Sequence, residues 1–291
     1  MRSFNLRPDT MHSPDYLEAQ YNARASIPDH PEIFARWAET SAQIRATFPC
    51  DLDIQYGTDV AETLDVFPAQ REVKAMLVFI HGGWWRSLDK SDFSFIVPEF
   101  SRRGIVVANI NYGLAPNTFM GDMVKQSRNA MAWLYRHTPH FGVDPEKFYI
   151  AGHSAGAHLA AMMLATDWCK FADDTPRNMI KGMTGMSGIY DLEPLLQIAS
   201  VNCDLKLTAS SAKKLSPTLL KAQSPAALYL AAGELESDEF KRQSDLLATR
   251  WNKNIEYNQI VSNAHHLNIV DHFAAADDAL FRKTIAMLDG D

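Results

Sequence analysis

The fold class this sequence predicts is α/β, with a mostly parallel, doubly wound sheet and helices on both faces. Two observations predict it. Strands read near residues 75–80, 104–110, 147–152, 181–187, 226–232 and 255–261, and segments with helical spacing separate them. Runs such as Ala75-Met76-Leu77-Val78-Phe79-Ile80 are continuous, as expected for strands covered on both faces. The chain's 291 residues suit one large domain of this kind, able to bury a substantial core.

The elements follow in order. Residues 1–50 read as a polar, partly helical arm packing on the domain that follows. Tyr16 to Ala23 and Glu32 to Phe48 have helical spacing, parted by Ile27-Pro28-Asp29-His30-Pro31. Residues 51–291 read as a single domain. It starts with two short strands between Leu52 and Phe67, an antiparallel hairpin, before the α/β alternation begins. A stretch at about 191–223 interrupts that rhythm and reads as a small helical cap. Within it, Ile189-Tyr190-Asp191-Leu192-Glu193-Pro194 places Asp191 as the N-cap of a cap helix. The methionines between Met162 and Met186 read as core filler.

Composition narrows the function classes. Hydrophobic content of 46% and charged content of 22% describe an ordinary soluble globular protein. A net charge of -7 without a basic cluster argues against a nucleic-acid surface. No stretch approaches the length of a membrane span, and the segment Met1 to Asp9 lacks the apolar core of a signal peptide. Cys50, Cys169 and Cys203 are scattered and odd in number, which fits a reducing cytoplasm. Cytoplasmic localisation is therefore expected.

Three motifs carry chemistry. Tyr149-Ile150-Ala151-Gly152-His153-Ser154-Ala155-Gly156-Ala157-His158 reads as a buried strand, a sharp turn with one serine, and the start of a small-residue helix. This is the G-x-S-x-G elbow, whose strained turn lifts a serine hydroxyl above the sheet edge. Glycines are needed where the helix folds back onto the strand. Ser154 is thus the candidate nucleophile; the plainer alternative is a helix-capping serine.

The second motif, His81-Gly82-Gly83-Trp84-Trp85, follows a central apolar strand. Acyl transfer develops negative charge on an oxygen, which preorganised backbone N–H groups stabilise well. Gly82 and Gly83, with Ala155 after the nucleophile, are the candidate oxyanion hole. His81 reads as a structural residue fixing this loop.

The third must supply an acid and then a histidine. The strand near 226–232 opens into Glu234-Leu235-Glu236-Ser237-Asp238-Glu239-Phe240, which offers four acids. The last strand opens into Ser262-Asn263-Ala264-His265-His266-Leu267, where spacing leaves either histidine as the base. Adjacent histidines can also suggest a metal, but no H-E-x-x-H or cysteine cluster accompanies them, so none is expected.

From about Tyr56 to about Leu288 the chain resembles α/β-hydrolases of the serine-dependent kynurenine formamidase (arylformamidase) type, neighbours of the hormone-sensitive-lipase-like esterases. The resemblance rests on His81-Gly82-Gly83-Trp84-Trp85, Gly152-His153-Ser154-Ala155-Gly156, Glu236-Ser237-Asp238-Glu239-Phe240 with Arg242-Gln243-Ser244, and His266-Leu267-Asn268-Ile269. It implies an α/β-hydrolase fold with Glu236 as the acid and His266 as the base. Two positions depart from the pattern. Glu236 stands where aspartate is usual, and Gly113 stands where relatives commonly have arginine.

The resemblance implies a serine hydrolase releasing a formyl group from an aryl amide such as N-formylkynurenine, with no metal or organic cofactor. Trp84, Trp85, Tyr112 and Tyr190 are expected at the mouth as an aromatic wall for substrate. The expected partner is a small-molecule aryl amide or ester, with no nucleic acid and no membrane, and the reading leaves room for a homodimer. A carboxylesterase for short-acyl or aryl esters and another amide or carbamate hydrolase share these residues. A non-catalytic ligand-binding relative would be expected to have lost Ser154 or His266.

Overall fold

Alternation inside the apolar runs gives the sheet its two faces. In β3 (Ala75–Ile80), Met76, Val78 and Ile80 point to one core, while Ala75, Leu77 and Phe79 point to the other. The computed structural model describes residues 12–290, so the expectation about Met1 to Asp9 lies outside the described residues.

The described chain starts with helices α1 (Pro14–Tyr21) and α2 (His30–Thr47), followed by β1 (Asp51–Gln55) and β2 (Thr63–Phe67). After β3, a 3₁₀ segment Lys90–Ile96 and helix α3 (Val97–Ser101) lead into β4 (Ile105–Ile110). Next come α4 (Met120–His137), β5 (Phe148–His153), α5 (Ala155–Leu164), α6 (Trp168–Phe171) and β6 (Gly182–Met186). The region expected as a cap holds a 3₁₀ turn Glu193–Gln197 and the short helices α7 (Ala199–Leu205) and α8 (Ala209–Leu215). The chain closes with β7 (Ala227–Gly233), α9 (Asp238–Arg250), β8 (Ile255–Val261), α10 (Ile269–Ala274) and α11 (Ala279–Asp289).

The eight strands form one sheet in the order β1-β2-β4-β3-β5-β6-β7-β8. Strand β2 pairs antiparallel with both β1 and β4, and every other pair is parallel. The expected α/β-hydrolase fold with its antiparallel start is therefore present. Strands β3 and β5 pair with Ile80 level with Gly152, which brings the ends of the first two motif strands to the same height.

Helices α4, α5 and α9 cover one face, and α2, α3, α10 and α11 the other. The arm straddles the sheet: Leu17 and Tyr21 of α1 join the first core, Ile33 and Trp37 of α2 the second. Met162, Met163, Met179, Met183 and Met186 are all buried.

One capping expectation needs correction. Asp191 caps no helix; the 3₁₀ turn Glu193–Gln197 follows Leu192 without a side-chain cap. Instead, Asp191 accepts the Glu193 N–H at 3.2 Å, and its carboxylate lies 3.6 Å from the Arg242 guanidinium. The segment turns too tightly there to form the α-helix that a cap would start.

Candidate active site

Strand β5 ends at His153, and helix α5 starts at Ala155, leaving Ser154 alone to make the turn. It does so with φ 54° and ψ -118°, a conformation costly for a residue with a side chain. The turn survives because it is tied down: the Ser154 N–H donates to the Met186 carbonyl at 2.8 Å, and His158 N–H donates to the Ser154 carbonyl at 3.2 Å. Gly156 makes the fold-back feasible, since any Cβ there would meet the carbonyl oxygens of Ile80 and His81.

Ser154, His266 and Glu236 form a chain of hydrogen bonds. The Ser154 hydroxyl donates to His266 Nε2 at 3.0 Å, and His266 Nδ1–H donates to Glu236 Oε1 at 2.6 Å. The second oxygen of Glu236 accepts from the Gly233 N–H at 2.7 Å and the Ser187 hydroxyl at 3.0 Å. Both carboxylate oxygens are thus occupied, which orients Glu236 and fixes the tautomer of His266. The Phe240 ring lies 4.3 Å from the His266 ring, between centroids. All three polar residues are buried, with Ser154 only 2% exposed.

The neighbouring histidine has a different task. His265 Nδ1 accepts the N–H groups of Leu267 and Asn268, both at 3.2 Å, and closes its own loop. Asp238 opens α9 behind the N-cap Ser237 and is exposed. Neither takes part in the chain from Ser154.

The His81-Gly82-Gly83 loop lies over Ser154. A Cβ on Gly82 would lie 3.1 Å from that of Ser154 and 2.9 Å from the His153 carbonyl oxygen, so only glycine allows this approach. Gly83 has φ 106°, and Trp84 and Trp85 follow at 56° and 54°. This run of left-handed residues turns the loop sharply, and Arg86 N–H, Ser87 N–H and the Ser87 hydroxyl all donate back to the Gly83 carbonyl. Ala155 opens α5, where the first N–H groups have no partner within the helix. His81 is buried, donates from Nδ1 to the Gly82 carbonyl at 2.8 Å, and stacks on Tyr112 at 4.7 Å. Burial pushes its pKa down.

The aromatic wall is smaller than expected. Trp84 is half-buried beside Gly83, but Trp85, Tyr112 and Tyr190 are core residues, 0%, 2% and 0% exposed. Trp85 packs edge-on to His158, and the Tyr112 hydroxyl donates to the His81 carbonyl at 2.9 Å. Their large apolar area is better hidden behind the loop than left at its mouth.

Known proteins carry these features. The BD-FAE family profile matches residues 64–232, which include the elbow and the two-glycine loop. A kynurenine formamidase of Salmo salar is 32% identical over 286 residues, covering 95% of this chain and 94% of that one. Another, from Danio rerio, is 33% identical over 278 residues and 90% of each chain.

This chain is a BD-FAE-family α/β-hydrolase related to the kynurenine formamidases. A solved structure of a candidate thioesterase from Silicibacter sp. TM1040 superposes on this hydrolase with a TM-score of 0.82 at 26% identity, covering 91% of this chain and 97% of that one. The enzyme is a serine hydrolase of the formamidase and esterase type. No helix among its described residues is long and apolar enough to cross a membrane. Among the same residues, no group of three His, Cys, Asp or Glu is placed to hold a metal ion.

Sequence reasoning missed several residues around the site. Ser187 and Gly233 hold Glu236, Phe240 packs on His266, and His153 bonds to the His266 backbone carbonyl. The one signal for Ser187 is its place as the polar residue just after β6, level with the other motif loops.

Proposed function

We propose that this hydrolase cleaves a small acyl group, formyl above all, from an aryl amide such as N-formylkynurenine through an acyl-serine. The observation that carries the reading is the Ser154–His266–Glu236 chain, with bonds of 3.0 and 2.6 Å, set beneath the Gly82-Gly83 loop. Kynurenine formamidase relatives spanning nearly the whole chain support the choice of amide.

The steps follow from the geometry. His266 Nε2 takes the hydroxyl proton as Ser154 Oγ attacks the carbonyl carbon. Glu236 stabilises the imidazolium so formed. The N–H groups of Gly82, Gly83 and Ala155 receive the oxyanion. His266 then returns the proton to the leaving aniline nitrogen, and the C–N bond breaks. Water, deprotonated by His266, attacks the formyl carbon, and His266 returns that proton to Ser154 Oγ as the ester bond breaks and formate leaves. These steps need no metal or organic cofactor. An arylformamide suits them because aniline leaves more readily than an alkylamine. Trp84, half-buried next to Gly83, would favour a flat leaving group, and a buried nucleophile would favour a small acyl group.

A carboxylesterase of short-acyl or aryl esters would use the same residues. Comparing kcat/KM for N-formylkynurenine, other formanilides and p-nitrophenyl esters of increasing chain length separates the two. Formanilides should exceed medium-chain esters by at least about tenfold. Efficient turnover of medium-chain esters with no formanilide hydrolysis would establish the esterase reading instead.

A further inference from the structure

These steps give no part to a buried histidine beside the nucleophile. His153 ends β5 and is 3% exposed, and its ring centroid lies 5.0 Å from that of His266. Its Nε2 lies 2.6 Å from the His266 carbonyl oxygen. A carbonyl only accepts, so His153 must carry a proton on Nε2 and donate it. Nδ1 has no hydrogen-bond partner among the described residues and faces Gly82, where a Cβ would come within 3.0 Å. Burial pushes the pKa of His153 down to about 3, the charge of a protonated His266 acts in the same direction, and the backbone bond opposes both only in part. His153 is therefore neutral wherever His266 works as a base, and adds no positive charge against the imidazolium.

Two consecutive residues thus hold His266 at two points. The Ser154 hydroxyl reaches its ring at 3.0 Å, and His153 reaches its backbone at 2.6 Å. The bonds to Ser154 and Glu236 fix the imidazole ring, and the backbone bond fixes the loop that carries it. We propose that His153 is a positioning residue whose Nε2–H bond to the His266 carbonyl keeps the base in register with Ser154. This rests on Ser154, His266 and Glu236 acting as the triad, and is independent of which acyl group is cleaved.

The test compares His153→Leu, which fills much of the space without a donor, with His153→Gln, whose amide N–H has about the same reach. Readouts are kcat and KM on p-nitrophenyl acetate, and the rate of Ser154 labelling by a fluorophosphonate. Misplacing a reacting group by about 1 Å costs on the order of 10²-fold, so the Leu variant should lose about 30- to 100-fold in kcat and in labelling rate. Its KM should stay within about threefold, and Gln should recover kcat to within about fivefold of wild type, following the same estimate. Equal kcat for Leu and Gln, or a Leu variant within about twofold of wild type, overturns the proposal. Should the Leu variant not fold, His153→Asn replaces it: its shorter amide should fall well below Gln, and equality overturns the proposal. Labelling that survives in Ser154→Ala overturns the triad itself, and with it this role for His153.

Discussion

Glu236 shows how one extra methylene is accommodated at the acid position. Gly233 N–H and the Ser187 hydroxyl hold one of its oxygens, which leaves the other aimed at His266. Glu236→Gln should lower kcat by on the order of 10⁴, because an amide can favour the wrong imidazole tautomer. Asp238→Asn should leave kcat unchanged and cost about 0.3–1 kcal/mol in urea unfolding, since Asp238 only faces the positive end of α9. If the Asn variant is the inactive one, the acid is misassigned. Tyr190→Phe makes a parallel test of the aromatic residues: its hydroxyl is buried without a partner among the described residues. Turnover should stay within about twofold of wild type with no loss of stability, because no hydrogen bond is broken. A large rise in KM would return Tyr190 to the substrate wall. The turn at Ser154 and the close approach of Gly82 to it were legible because each motif is local. Ser187 and His153 were not, because their partners lie 49 and 113 residues away.

Among elements, α1 ties the arm to the site. The Tyr21 hydroxyl donates to Glu239 Oε2 at 2.9 Å and accepts from Gln243 Nε2 at 2.7 Å. The Gln243 carbonyl oxygen in turn accepts the N–H groups of Tyr190 and Asp191, where the chain leaves β6 for the short helices α7 and α8. The Tyr21 ring also packs edge-on to Trp84 and Phe240. Tyr21→Phe keeps the ring and removes two hydrogen bonds, one to a charged group. It should cost about 1–3 kcal/mol of unfolding free energy in a urea titration. An unchanged midpoint would show that α1 adheres by apolar contact alone. The central strands β3, β4 and β5 were readable within a residue because burial on both faces leaves a dense apolar run. The arm's helices were readable too, but not their placement on opposite faces of the sheet, which depends on what the sheet leaves uncovered.

For the whole molecule, buried neutral histidines link stability to pH. Burial pushes His153 down to about 3 and His158 to about 4, from 6.5. The unfolded chain takes up a proton near 6.5 that the folded chain refuses, so their contribution is complete above that pH. It is lost progressively as pH falls toward the folded values, by up to about 1.4 kcal/mol per pH unit for each histidine. His158 donates from Nε2 to the Leu215 carbonyl at 2.8 Å, joining α5 to the end of α8. His158→Gln can keep that bond without titrating. Its unfolding free energy should therefore fall less steeply than wild type between pH 6.5 and 4.5, narrowing any deficit at pH 7 by on the order of 2 kcal/mol. Parallel pH profiles would exclude His158 as a source of acid sensitivity.

The pairing of Ile80 with Gly152 has an evolutionary corollary. Because the Gly82-Gly83 loop and the Ser154 turn leave adjacent strands at one height, their spacing is measured in whole residues of sheet register. A single insertion in either strand upstream would shift one against the other by about 3.3 Å and turn its side chains to the opposite face. Gain and loss of residues in descendants of this chain should therefore collect between the strands, among the short helices of residues 193–219 and in the helices before β1. The two segments 75–83 and 148–156 should keep constant length even where nearly every side chain in them has been exchanged.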